Sequence, residues 1–431
     1  MNIELAYGDG RITAEVPENA TIMRPRSIPT LPDESGALRA ALARPMGTKS
    51  LADILHGKNS VAIVTPDITR PLPTARILRV LLPLIGQSGI AAEQVVLVNG
   101  TGSHRGNTHQ ELSEMYGSEV VDRYRIVNHD AYQKDGLAYV GRTAKGCEAW
   151  LNREFVEAEV KIVLGLIEPH FFAGFSGGAK GIYPALAGID SIMGFHNAQQ
   201  IGHPRSTWGL LEGNPHQIEC QSVWDLVQPD FLLNVTVNQE RGITGVFAGS
   251  LAEAFFAGAD YARSVAMTGV EPPGFDIVVT TNSGYPLDQN LYQTVKGISA
   301  AAKVVRPGGA IVCAAECREG YPDHGEFRSL MEMAATPQEL LDQITAPGFR
   351  RFDQWEAQTL ASILTKAEVW LYSAMDPLSV ERALLHPAPS VEEGLASALA
   401  KMGPNARVGI LPEGPMTIPY VIDPTPEFGG L

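Results

Sequence analysis

Three histidines from separate segments carry the strongest chemical signal: His104 in GTGSHRG, His170 in EPHFFAGFSGGAKG and His196 in GFHNAQQ. An unperturbed imidazole changes charge near neutral pH and also ligates metals, so three of them brought together would make an acid–base or metal site. Each also has a structural reading, His104 as a cap for a helix starting near Thr108 and His196 as a satisfied residue in a turn. The remaining histidines, His216 among them, read as surface or structural. Lys180 follows Ser176, Gly177 and Gly178 in SGGAK. Small residues let backbone N–H groups approach an anion, so this run reads as a phosphate cradle, although the P-loop spacing GxxxxGK[ST] is absent. A lysine held in an apolar cleft has a lowered pKa and becomes nucleophilic, which would allow covalent attachment of a cofactor. Asp67 and Arg70 lie in TPDITRP. There the Asp either caps a Pro-led helix or orients a histidine, and the Arg either pairs with it or grips a carboxylate through two hydrogen bonds. Gln293 and Lys296, in NLYQTVKG, share a helix face and, with Tyr292, could reach a substrate anion. Trp355, in FDQWEAQ, reads as a packing residue.

These side chains need a frame. Short apolar runs alternate with helical periodicity: strands at 60–64, 94–98, 124–127 and 160–166, with helices at 74–85 and 108–116 between them. A second such run starts near Pro272, with strands at 275–280, 310–315, 369–372 and 406–411 and helices at 291–302 and 392–401. This alternation predicts an α/β fold with mainly parallel sheets flanked by helices. The residues that follow VAIV, VVLV, VKIVLGL and DIVVTT are polar and Gly-rich. Ligands of open α/β sheets sit beyond the carboxyl ends of the strands, so these four loops are expected on one sheet edge. The EPPG segment marks a division into an N-terminal unit, 1–270, and a second unit, 271–412, with 413–431 folding back on the first. The opening residues, MNIELAYGDGRITAEVP, read as a β-hairpin turning at Gly8-Asp9-Gly10.

Composition sets the outer bounds. A chain of 431 residues with 45 % hydrophobic residues can bury a sizeable core, and its length suits two domains. Its net charge of −15 repels phosphate backbones and anionic membranes, which argues against nucleic acid as a partner but not against a small anion held by local cations. Its 43 glycines exceed the usual share of about 7 %, and many fall in the strand-end loops. Four scattered cysteines, no signal peptide and no apolar run of membrane-spanning length imply a cytoplasmic protein with no membrane partner. No oligomeric state can be read from the sequence.

Taken in order, TPDITRP, GTGSHR, EPHFFAGFSGGAK, GFHNA and YQTVKG resemble the nickel-pincer lactate racemase family. The resemblance spans about residues 60 to 360 and implies a two-domain α/β fold with the active site in the cleft between the units. It implies racemisation or epimerisation of a small anionic 2-hydroxy acid, lactate or a relative. The reaction would run by reversible hydride transfer to a nickel-pincer nucleotide, a pyridinium-3-thioamide-5-thiocarboxylic acid mononucleotide carrying nickel, through a 2-keto acid. It implies Lys180 as the attachment lysine, His196 as the nickel ligand, and His104 and His170 as the paired catalytic histidines. Asp67 becomes the acidic partner of the first histidine, and Arg70, Tyr292, Gln293, Lys296 and Trp355 become substrate contacts. Ser176, Gly177 and Gly178 fall beside the cofactor, and the enzymes that make it become partners. Two other classes stay open from the residues alone: a zinc-dependent hydrolase or lyase using the three histidines, and a non-catalytic organic-acid-binding protein.

Overall fold

The computed structural model describes residues 1–323 and 325–422. Two six-stranded sheets organise them. In the first, the spatial order is Ile243–Gly249, Phe231–Val237, Val160–Leu166, Val61–Pro66, Val95–Gly100 and Arg125–Asn128. All neighbours run parallel except the first pair, which is antiparallel. In the second sheet the order is His386–Pro387, Glu368–Tyr372, Val305–Ala314, Phe275–Thr281, Val408–Leu411 and Thr21–Ile22, and every pair is parallel. Helices cover both faces, which is why VAIV, VVLV and VKIVLGL are unbroken apolar runs rather than alternating ones. The helix Thr74–Gln87 shows the matching pattern: Ile77, Leu78, Leu81 and Ile85 recur at helical spacing and pack on Ile63, Leu97 and Ile162 of the first sheet.

The mainly parallel α/β architecture is the one expected, but three details differ. First, Phe275–Thr281 belongs to the second sheet, so only three of the four polar strand ends share an edge. The fourth faces them from the other sheet. Second, the opening hairpin, Asn2–Tyr7 with Gly10–Glu15, packs Ile3, Leu5, Ala14 and Val16 against Ile277, Val279, Val312 and Leu395 of the second unit. Thr21–Ile22 is an edge strand of the same sheet, so the opening strands of the chain pack on the second unit. Alternation marks a hairpin with one buried face, but it does not name the surface that buries it. Third, Phe231–Val237 and Ile243–Gly249 form a hairpin that the reading for α/β units passes over. Near the other end of the chain, Ile418–Val421 pairs in parallel with Met267–Val270. The expected return of residues 423–431 lies outside the described residues.

Polar contacts tie the units together beside the cleft. Trp208 Nε1 donates to Ser299 Oγ (3.1 Å), Gln358 Nε2 to the Ala198 carbonyl (2.9 Å), and Arg350 pairs with Asp190 (2.8 Å). Among the described residues, no helix is long and apolar enough to cross a membrane. All four cysteines are free.

Candidate active site

The first site loop leaves the strand Val61–Pro66. Asp67 is buried, and its Oδ1 accepts from the Thr69 hydroxyl (2.6 Å) and backbone N–H (3.3 Å). Its Oδ2 meets His104 Nδ1 at 2.7 Å. Asp67 therefore caps no helix, since the helix that follows starts at Thr74 with Pro73 as its cap residue. His104 is equally free of capping, because Thr108 and Glu111 close that helix end as a capping box. Burial would raise the Asp67 carboxyl, but the charge of His104 and the hydrogen bonds from His104 and Thr69 hold it below the usual range. A carboxylate on Nδ1 fixes that nitrogen as the donor and leaves Nε2 as a base.

His170 sits in a two-residue antiparallel pair, Pro169–His170 with Gly174–Phe175. The pair closes because Gly174 takes φ +77° and its Cα approaches the Leu210 carbonyl, which a Cβ would strike at 2.3 Å. His170 Nδ1 accepts from the Ala173 N–H (3.3 Å), which assigns its proton to Nε2. Burial, followed by the positive charges of Lys180, Arg70 and Lys296, holds this imidazole neutral well below its ordinary pKa. Its ring packs on Phe171 and Phe172, at 5.1 and 4.4 Å between centroids.

The SGGAK turn is not an open anion cradle. Ser176 Oγ donates to the Leu166 carbonyl (2.7 Å), and the Gly178 N–H donates to Asn234 Oδ1 (2.8 Å), so both donors serve the fold. Gly177 takes φ +81° against Asn234 and Leu166. The turn instead aims Lys180 into the cleft, where Nζ lies over the rings of Phe172 (5.3 Å) and Phe195 (5.6 Å). Among the described residues this amine has no hydrogen bond or ion pair, and burial lowers it to about 8. His196 ends the helix Ile189–Phe195 and bonds the Ile192 carbonyl through Nδ1 (3.0 Å), leaving Nε2 unprotonated. Burial and then Lys180 lower it to about 3, so it is neutral at any ordinary pH.

The second unit supplies the opposite wall. Lys296 donates to Gln293 Oε1, one turn earlier on the helix Leu291–Ala301. Tyr292 Oη accepts from Trp355 Nε1 (2.8 Å), and the Trp355 ring lies 4.5 Å from that of His196. Trp355 is thus a wall of the site as well as a packing residue. Arg70 reaches across to Glu168 at 3.5 Å. A cavity of about 180 Å³ is lined by twelve of the thirteen singled-out residues, Asp67, Arg70, His104, His170, Ser176, Gly177, Lys180, His196, Tyr292, Gln293, Lys296 and Trp355; Gly178 does not line it. Two residues went unnoticed in the sequence: Glu356 in the cavity wall and Glu168 beside Arg70. His216, read as surface or structural, is fully buried with its ring 4.6 Å from Phe172, and only EPH placed Glu168 near a candidate. Among the described residues, no group of three His, Cys, Asp or Glu side chains is close enough to hold a metal ion. The zinc reading, which needed the three histidines together, is thereby overturned.

Residues 7–209 match the model of the lactate racemase N-terminal domain, and residues 270–418 match that of the lactate racemase C-terminal domain. The chain belongs to the lactate racemase family. A lactate racemase from Thermoanaerobacterium thermosaccharolyticum is 34 % identical over 420 residues, covering 96 % of this chain and 98 % of the relative. One from Lactiplantibacillus plantarum is 32 % identical over 419 residues, with 96 % and 98 % covered. The solved lactate racemase apoprotein from T. thermosaccharolyticum superposes with a TM-score of 0.92 at 33 % identity, covering 98 % of this chain and all of that one. A Thermotoga maritima protein of 16 % identity shares the fold, with a TM-score of 0.68 and 90 % of this chain covered. Membership of the lactate racemase family makes the chain an isomerase of the racemase class.

Proposed function

We propose that the chain racemises lactate, using a nickel-pincer nucleotide carried on Lys180. One observation carries the reading: a carboxylate-held histidine, a second neutral histidine, an unpaired lysine amine and a histidine with a free Nε2 all open on one cavity beside Arg70 and Lys296. The residues fit the cofactor. Lys180, lowered to about 8, is neutral often enough near neutral pH to be acylated, and His196 offers one neutral nitrogen to a metal whose other ligands the nucleotide brings. When bound, that group would supply a reversible hydride acceptor for the substrate carbon, which side chains alone lack.

The chain's own residues do the rest. Arg70 and Lys296 hold the carboxylate through the reaction, so the intermediate stays in place. Gln293 Oε1 orients the Lys296 ammonium. His104 Nε2 takes the hydroxyl proton, and Asp67 stabilises the imidazolium that results. His170 serves the oxygen when the substrate is presented in the other hand, which is why racemisation calls for two histidines. Phe171 and Phe172 keep water from the reacting carbon. The enzymes that build the nucleotide are the proposed protein partners, and the four free thiols support a reducing, cytoplasmic setting.

The test is to make the protein alongside cofactor-synthesis enzymes. The peptide containing Lys180 should gain mass, nickel should copurify, and L-lactate should lose optical purity, with Lys180→Ala abolishing all three. A peptide of unchanged mass rules out the attachment. Lactate that keeps its optical purity with adduct and nickel present rules out the substrate.

A further inference from the structure

Glu356 belongs to the first turn of the helix Gln354–Leu364, which packs against the helix Leu291–Ala301 that carries Lys296. It is 1 % exposed and lines the cavity with Lys296, Gln293 and Arg70. Its Oε1 is buried without a hydrogen-bond partner among the described residues. No ion pair joins it to Lys296, whose hydrogen bond goes to Gln293. An ionised carboxylate buried with one oxygen unpartnered is costly, because a charge taken out of water needs donors or a counter-ion beside it. An ionised carboxylate here would also repel the anion that Arg70 and Lys296 are set to hold. A neutral acid removes both difficulties and turns the side chain into a donor.

The geometry points to Glu356 as a neutral carboxylic acid that donates an O–H hydrogen bond to the carboxylate of the bound substrate, beside Arg70 and Lys296. This rests on the reading that the cleft binds a 2-hydroxy acid. The charges facing Glu356 agree with it. Burial raises the carboxyl well above the usual carboxylate range, with Asp353 adding to burial and with Lys296 and Arg70 opposing it. Tyr292, on the same facing helix, is itself held protonated, above all by burial. The acid therefore keeps its proton at neutral pH, as a carboxylic acid can when an apolar site forbids its charge. The inference assigns no group transfer to Glu356, since the proton stays on its oxygen and is only shared.

The test compares Glu356→Gln, which keeps an N–H donor in the same shape, with Glu356→Met, which keeps only volume. Calorimetric titration of the cofactor-free chain with L-lactate at pH 7 should give a Kd for Glu356→Gln within about threefold of the parent. Glu356→Met should bind about tenfold more weakly, by the loss of one hydrogen bond to a charged group. In difference infrared spectra at pH 7, the carbonyl band of a protonated carboxylic acid should shift when L-lactate binds the parent, and should be missing in Glu356→Gln. If Glu356→Gln binds as weakly as Glu356→Met, the residue acts as a charge and the proposal fails. An unchanged Kd in Glu356→Met, or no protonated-acid band in the parent, overturns it as well. A parent that binds no L-lactate overturns the underlying reading of the cleft, a result distinct from any difference between the variants. Should Glu356→Met not fold, the infrared comparison of parent with Glu356→Gln decides alone.

Discussion

At the scale of the residue, the site is a set of pKa values arranged by burial and by neighbours. Asp67 is held low by His104 and Thr69 against its own burial. A depressed carboxyl contributes stability above its unfolded pKa of about 3.9, and that contribution is lost as pH falls through the folded value. Thermal unfolding should accordingly show the parent more stable than Asp67→Asn at neutral pH, with the gap closing below about pH 4. In the cofactor-loaded enzyme, His104→Ala should lower kcat by about 10²- to 10⁴-fold, the range of general acid–base catalysis, while substrate affinity changes much less. Lys180 gives a third outcome. Its amine is lowered to about 8 by burial, so acylation of the cofactor-free protein should label it with a rate rising through pH 8, ahead of the solvent-exposed lysines. Peptide mapping after brief labelling reads this out. His104, His170, Lys180 and Lys296 were singled out in the sequence, and the structure brings all four to one cavity. Which nitrogen of each histidine is free was not legible in sequence, because that depends on Asp67, Ala173 and Ile192 as partners.

At the scale of the element, short turns do the aiming. Gly177 carries φ +81°, and a Cβ there would lie 2.9 Å from Asn234 Oδ1 and 3.1 Å from the Leu166 carbonyl. Gly177→Ala should destabilise the fold by about 1–3 kcal/mol, as denaturant unfolding would measure, and should displace Lys180 from the cavity. Asn234, which receives the Gly178 N–H, lies mid-strand in the Phe231–Val237 hairpin that the sequence reading passed over. A buried polar residue in the run FLLNVTV was the available clue. The strand positions themselves were read well: Val160–Leu166 has the expected limits, and Val61–Pro66 and Val95–Gly100 each run on toward the site beyond the residues expected. Those extra residues, Thr65 and Pro66, Asn99 and Gly100, lie where sheet pairing gives way to the site loops, a boundary set by hydrogen bonds that periodicity does not record.

At the scale of the whole molecule, the cleft forms only where the ends of two sheets face one another, and its cations oppose the net charge of −15. Binding that joins the two walls should stabilise the entire chain: at 100 times its Kd, L-lactate should add about 2.7 kcal/mol to the unfolding free energy. The rise in Tm should vanish in Arg70→Ala and in Lys296→Met, since one cation comes from each unit. Sequence by itself determined the α/β class, the strand–loop positions of the chemical residues and the family, because strand and helix periodicities and ordered motifs are local properties of the chain. Tertiary structure alone decided that the opening hairpin completes the second sheet, that the SGGAK donors serve the fold, that Trp355 walls the site and that Glu356 enters it. Each of these depends on a partner distant in sequence, and a side chain's pKa, tautomer and exposure are set by what packs against it rather than by what precedes it.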